Sequence, residues 1–261
     1  MLAHSPGAGA SAPGRRGGEA RCDVVRALCD VSYAGDGRCR PRPAEASPAR
    51  HLRRFLRRYG ELVTPAERLN AAVERTAELT ASRPRRGTTH DEADDTRGSI
   101  ETDDAHRFDP RPLLRRLSTV PVPVVVIGQV AGILHGSVEL TGDLDLLWSG
   151  DDGHASAMAS AFAAEASALT DDDGRPLACD NAAFVRAKVQ FKTDHASGDC
   201  CTTKLPWGAL DVASFIERAD RADFGGSTVR YLTKADLIAM RVAVGRPKDL
   251  RRAEELRRLG P

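Results

Sequence analysis

Residues 124–148 read VVVIGQVAGILHGSVELTGDLDLLW, and the fold turns on them. The β-branched run ending at Ile127 suits a buried strand, because branched side chains pack well on a pleated surface. Gly128 ends the run, and the spacing predicts a short helix over residues 129–135. Glycine lets a ligand approach the backbone closely. The first N–H groups of such a helix lack intrahelical acceptors, and together with the helix dipole they favour phosphate. Thr141-Gly142 then turns the chain into Asp143-Leu144-Asp145 and a second predicted strand over 144–148. Residues i and i+2 of a strand face the same way. Asp143 and Asp145 are therefore expected on one face, with Leu144 and Leu146 in the core. Two carboxylates a pleat apart can share hard divalent cations, and Mg²⁺, which takes oxygen ligands and bridges to substrate phosphates, suits them. A further carboxylate on a neighbouring strand would complete a two-metal site. Asp211, a lone acid opening the apolar segment Leu210-Asp211-Val212, is the expected third ligand.

Outward from this core, strands and helices alternate. Helices are predicted over 111–117 and, Ala-rich, over 154–169. Strands are predicted over 184–191, 209–213 and 229–232. Cys200-Cys201 is expected in a hairpin turn after residues 194–198. Thr233, with Asp236 completing a capping box, opens a helix to 244, and Pro247 starts a last one to about 259. This mixture indicates an α+β or α/β domain over residues 106–261.

The first part of the chain differs. Residues 1–50 are expected to be largely disordered, apart from a possible short helix at 22–33. Residues 51–81 form a short helical segment: Leu52, Phe55, Leu56 and Tyr59 have helical spacing, and Thr64-Pro65-Ala66-Glu67 reads as a capping box. The segment is too poor in apolar residues for a core of its own. Residues 82–105 read as an acidic linker, with seven acids against one Arg over 89–105. Residues 1–88 carry seventeen Arg against nine acids, so the net charge of +1 hides a basic segment and an acidic one. The Arg pairs at 53–54 and 57–58 fit either a solvated helix face or a grip on RNA. Cys22, Cys29, Cys39 and His51 match no zinc spacing. No Cys-x-x-Cys pair, signal-peptide core or membrane-length apolar run is present, so a reduced cytoplasmic location is the expectation.

With these residues in view, the chain resembles the nucleotidyltransferase superfamily, in which a glycine-led strand-to-helix turn precedes Asp-x-Asp by about a dozen residues. More closely, residues 106–260 resemble bacterial nucleotidyltransferases related to abortive-infection toxins. The matching pieces are Val126-Ile127-Gly128, Leu134-His135-Gly136-Ser137, Thr141-Gly142-Asp143-Leu144-Asp145, Leu237-Ile238-Ala239-Met240-Arg241 and Gly245-Arg246-Pro247-Lys248-Asp249-Leu250. The resemblance implies a mixed sheet flanked by helices, a nucleoside triphosphate bound with two Mg²⁺, and transfer of a nucleotidyl group. It maps the carboxylates and metal ligands to Asp143, Asp145 and Asp211, the phosphate turn to Gly128 and Gln129, and the cationic tail to Arg241 and Lys248, with Asp249 beside them. Two departures stand out. Gln129 follows the first glycine where relatives carry Gly or Ser, and Arg241 replaces a common Lys.

The expected function is Mg²⁺-dependent transfer of a nucleoside monophosphate to an RNA, tRNA included, or to a protein, as the toxin of a toxin–antitoxin pair with a cognate antitoxin. The alternatives are a catalytically degenerate protein of the same fold that binds a nucleotide or a partner, which Gln129 motivates, and a small-molecule, antibiotic-type nucleotidyltransferase. His135 is expected to pack or cap, and Trp148 and Trp207 to pack in the core, with Trp207 near enough to border the pocket.

Overall fold

A computed structural model describes residues 63–88 and 98–260 of the 261-residue chain. The chain divides into units 1–59 and 60–261, and the first lies wholly outside the described residues. So do the expected disorder of 1–50, the helices at 22–33 and 51–59, and part of the acidic linker.

Helix α1 (Pro65–Thr80) opens with the predicted capping box: the Glu67 N–H donates to Thr64 Oγ1 at 3.3 Å, and the Thr64 N–H donates to Glu67 Oε2 at 2.9 Å. Its apolar face, Leu69 and Val73, is buried. It packs on the helix following Gly128, so it belongs to the same unit and not to a separate segment. After it come two 3₁₀ turns, Gly98–Glu101 and Asp103–Arg107, and helix α2 (Arg111–Leu117).

The sheet has eight strands. They are β1 (Val124–Ile127), β2 (Asp145–Trp148), β3 (Ala168–Thr170), β4 (Pro176–Leu177), β5 (Lys188–Lys192), β6 (Ser197–Thr202), β7 (Asp220–Asp223) and β8 (Thr228–Tyr231). Their order is β4-β3-β5-β6-β2-β1-β8-β7. The β1–β8 and β2–β6 pairs are parallel, and the remaining neighbours antiparallel. Helices α3 (Gly128–Leu134), α4 (Ala155–Ala163), α5 (Asn181–Phe184), α6 (Val212–Glu217), α7 (Lys234–Val244) and α8 (Pro247–Arg258) flank it. The expected α+β class, a mixed sheet flanked by helices, is what the chain adopts. The central strands are enclosed: Val125, Leu146, Leu147 and Trp148 have no exposed surface.

Several local expectations are corrected. The Ala-rich helix stops at Ala163, because Ala166 takes a left-handed φ of 51° and returns the chain to the sheet as β3. Phe184 ends a short helix whose cap is Asp180, and the strand begins only at Lys188. Phe184 remains fully buried, its ring tilted against that of Phe162 with centroids 4.8 Å apart. Residues 209–213 form no strand, because the Asp211 carboxylate caps α6 instead. Cys200 and Cys201 lie within β6 and not in a hairpin turn; both are buried, and burial pushes their thiols well up. Thr233 caps α7 as predicted, accepting from the Asp236 N–H at 3.2 Å. The Asp236 carboxylate is held by the Thr233 hydroxyl and by Arg218. Among the described residues no helix is long and apolar enough to cross a membrane.

Candidate functional site

β1 delivers the chain to Gly128, whose φ of 64° is a left-handed conformation that L side chains avoid. Close approach reinforces the requirement: a Cβ at this position would lie 2.0 Å from Asp145 Oδ2 and 2.9 Å from Asp145 Cγ. The antiparallel pairing of Ile127 with Asp145 fixes that contact, and the Asp145 carboxylate lies against the glycine turn. Asp143 sits just before β2. Its Oδ1 accepts from Ser99 Oγ at 2.6 Å and, very closely, from Thr141 Oγ1. Ser99 also accepts from the Gly142 N–H at 3.2 Å. The C-terminal end of the expected acidic linker is thus folded, and its Ser99 and Thr102 are buried. Arg83 ties it down by donating to the carbonyls of Ile100 and Thr102, each at 2.6 Å.

The third carboxylate of this neighbourhood is Asp199, not Asp211. Strand β6 runs parallel to β2 with Leu146 opposite Cys200. One step back along both strands stand Asp145 and Asp199, which in parallel register share a face. Gly198 allows the strands so close, since a Cβ there would meet the Leu144 carbonyl oxygen at 2.0 Å. Asp211 is exposed at the start of α6, where it accepts from the Ser214 N–H at 3.3 Å and the Ser214 hydroxyl at 2.5 Å. Those two bonds hold its carboxyl below the usual range. The motif Asp-x-x-Ser at a helix start is a cap, and an apolar segment behind it concealed that from strand reasoning.

Asp143, Asp145 and Asp199 line one cavity of about 430 Å³, together with Gly128, Ser99 and Lys188. Asp145 keeps some accessible surface, yet burial holds its carboxyl well above the usual carboxylate range. The negative charges of Asp143 and Asp199 add to that effect, and Arg252 and Arg246 oppose it. Lys188 on β5 pairs with Asp172 at 2.6 Å and approaches Asp199 at 3.7 Å. Burial works against its charge, but its hydrogen bond to Asp172 and the negative charges of Asp199 and Asp172 outweigh that and raise its pKa.

Helices α7 and α8 supply the cationic side, where Arg241, Arg246, Lys248 and Arg252 all line the cavity. Arg241 is buried, and its Nη2 donates to Gln129 Oε1 at 2.7 Å and to the Gly128 carbonyl at 3.2 Å. Burial, then the charge of Arg252, lowers its pKa to about 10. Its buried Nη1 has no hydrogen-bond partner among the described residues. Arg252 is clamped by Glu139, and Arg246 Nε donates to Asp249 Oδ2 at 2.6 Å. Asp249, itself buried, therefore orients Arg246.

Gln129 lines the cavity, but not with an outward side chain. Its side chain turns inward and is 3% exposed. Its Nε2 donates to Ser137 Oγ at 2.9 Å and to the Glu139 carbonyl at 2.7 Å. Its Oε1 accepts from Arg241, so all its side-chain polar atoms are engaged within the protein. His135 packs as expected, its Nε2 2.7 Å from the Leu232 carbonyl and its ring tilted against Tyr231.

Of the eight residues expected from the sequence, seven line this cavity, and Asp211 does not. Ser99, Lys188, Asp199, Arg246 and Arg252 join them without having been singled out. The signal for Asp199 was weak: an acid between Gly198 and the apolar Cys200, in a segment with no β-branched run. Among the described residues no three His, Cys, Asp or Glu side chains stand close enough together to form a ready-made metal group. The donor chemistry nevertheless suits a hard cation. The carboxylates are oxygen donors, and burial, with the negative charges of Asp143 and Asp199 adding to it, raises the Asp145 pKa, a penalty that a bound cation relieves. Compared with known proteins, the chain matches no family model and no curated protein.

Proposed function

We propose that this protein is a Mg²⁺-dependent nucleotidyltransferase that moves a nucleoside monophosphate from a nucleoside triphosphate to an acceptor hydroxyl. The observation that carries the reading is the meeting, in one cavity, of Asp143, Asp145 and Asp199 with the Gly128 turn and the cations of α7 and α8. Such a cavity offers oxygen ligands for a metal beside positive charge for a polyphosphate.

Asp143, Asp145 and Asp199 would hold Mg²⁺, which when bound supplies charge neutralisation at the reacting phosphate. Lys248 and Arg246 bind the outer phosphates, Lys248 as a compact charge and Arg246 as a fork steadied by Asp249. Arg241 acts from behind the turn: it fixes the Gly128 carbonyl and so the backbone on which the phosphates rest. Ser99 and Thr141 orient Asp143. Positioning and electrostatics supply most of the catalysis in transfers of this kind, so the site has no need of a dedicated protein base.

The acceptor we propose is an RNA, tRNA included, or a protein, and the biological role that of a toxin held by an antitoxin. Both rest on the sequence resemblance. A second reading, nucleotide binding without transfer, is favoured by the engagement of Asp143 Oδ1 by two hydroxyl groups.

A labelled-nucleotide assay with each of the four triphosphates, Mg²⁺ and total RNA or cell protein tests the proposal. Label on an acceptor, lost in Asp145→Ala and Asp199→Ala, supports transfer. Tight triphosphate binding with no transfer supports the second reading, and wild-type incorporation by Asp145→Ala refutes the first.

A further inference from the structure

The cavity has a third kind of wall. Alongside the carboxylates and the cations it is lined by Leu205, Trp207, Leu237, Met240 and Val244. Leu237 and Met240 are anchored in the core, while Trp207 is half-buried and Val244 is 50% exposed. Exposed apolar surface of this kind, at the mouth of a polar cavity, suits a flat apolar ligand group. The one strong hydrogen-bonding group in this wall, Trp207 Nε1, is spent on the Thr202 carbonyl at 2.8 Å. Met240 contributes only a thioether, a poor acceptor.

We infer that this wall is the nucleobase subsite of the site proposed above, that Trp207 is its stacking platform, and that the base is chosen by stacking area and not by hydrogen bonding. The inference rests on the nucleotidyltransferase reading. The strand that carries Asp199 also carries Thr202, which fixes the indole, and three strand residues cover about 10 Å. A nucleotide spans a comparable length from its phosphate to its base. The side chains of these five residues offer no free strong donor or acceptor with which to tell adenine from guanine by their edges. The wall favours the larger ring system of a purine over a pyrimidine, and it accepts all four bases.

Calorimetric titration with Mg²⁺ and ATP, GTP, CTP, UTP or ribose 5-triphosphate tests this without requiring turnover. The four nucleotides are expected to bind within about tenfold of one another, purines first, and ribose 5-triphosphate about tenfold more weakly than ATP. Trp207→Ala is expected to bring ATP to the level of ribose 5-triphosphate, and Trp207→Phe to keep most of the difference. If Trp207→Ala does not fold, Trp207→Phe and the comparison of ligands on the unaltered chain carry the test. A single base preferred by about 100-fold overturns the inference. So does an ATP to ribose 5-triphosphate ratio that folded Trp207→Ala leaves unchanged. Ribose 5-triphosphate binding as tightly as ATP overturns the base wall and leaves the phosphate site standing. If none of the five ligands binds, the nucleotidyltransferase reading falls, and this inference with it.

Discussion

A single methyl group added at residue 128 probes the floor of the site. Alanine at a φ of 64° carries a backbone penalty of about 1–2 kcal/mol. In a unit of about 200 residues, each kcal/mol lowers Tm by about 2–4 °C, so the backbone term alone predicts a fall of about 2–8 °C. The new Cβ would stand 2.0 Å from Asp145 Oδ2 and 2.9 Å from Cγ, which cannot persist. The cheapest relief is rotation of Asp145 about χ1, which carries its carboxylate away from Asp143 and Asp199. A displacement of about 1 Å in a positioned group costs about 100-fold in rate. Gly128→Ala is therefore expected to be folded, modestly less stable and at least about 100-fold slower in transfer, with weaker binding of Mg²⁺-triphosphate. Differential scanning calorimetry and titration with Mg²⁺-ATP measure the two effects. A variant that melts with the wild type and binds Mg²⁺-ATP with unchanged affinity would falsify the placement of Asp145 against the turn.

Further expectations concern the neighbours of that turn. Because the native Asp145 carboxyl is held above its ordinary range, its contribution to stability is full at low pH and is lost as pH rises from the ordinary carboxylate range through the raised pKa. Thermal melts of the metal-free protein should accordingly show Asp145→Asn gaining on the wild type as pH rises from 4 to 8, and equal pH slopes would count against the raised pKa of Asp145. Ser99→Ala removes a 2.6 Å hydrogen bond to a carboxylate and should cost about 1.5–3 kcal/mol in urea unfolding. It should also lower transfer with little change in triphosphate affinity. Asp211→Ala should lose only a helix cap, about 0.5–2 kcal/mol, and keep wild-type transfer, whereas Asp199→Ala abolishes transfer. The reverse pattern would reinstate Asp211 as the third ligand.

The parts of the fold legible in the sequence were those whose cause is local. The strand ending at Ile127, the turn at Gly128 and the apolar alternation of Leu144 and Leu146 around Asp145 all follow from neighbours within a few residues. The caps at Thr64 and Thr233 are likewise short-range hydrogen bonds. Strand β6 was missed because Ser-Gly-Asp-Cys-Cys-Thr carries no strand pattern of its own. It becomes a strand by pairing with β5 across the short turn at 193–196 and with β2, more than fifty residues earlier, and the parallel half of that pairing leaves no local signal. Asp199 was hidden with it. Ser99 was hidden by composition, since an acidic, polar stretch reads as a linker unless the groups its backbone will meet are known. Here they are Arg83 on one side and Asp143 on the other. The inward turn of the Gln129 side chain was not legible, because a sequence does not say which way a long side chain turns.

The attachment of Ser99 to Asp143 changes where the chain can be cut. Composition places the start of the α+β domain at residue 106, and a fragment begun there keeps every acid and every cation of the cavity. It leaves behind one of the two hydroxyls that hold Asp143, that of Ser99, and the Ala105 side chain that lies against Gly142. A recombinant fragment, a protease nick or an ancestral gene fusion with its seam at 106 would carry the chemistry without the brace. The smallest portable module has to bring residues 98–105 with it, and α1 as well, since the helix behind Gly128 packs on it.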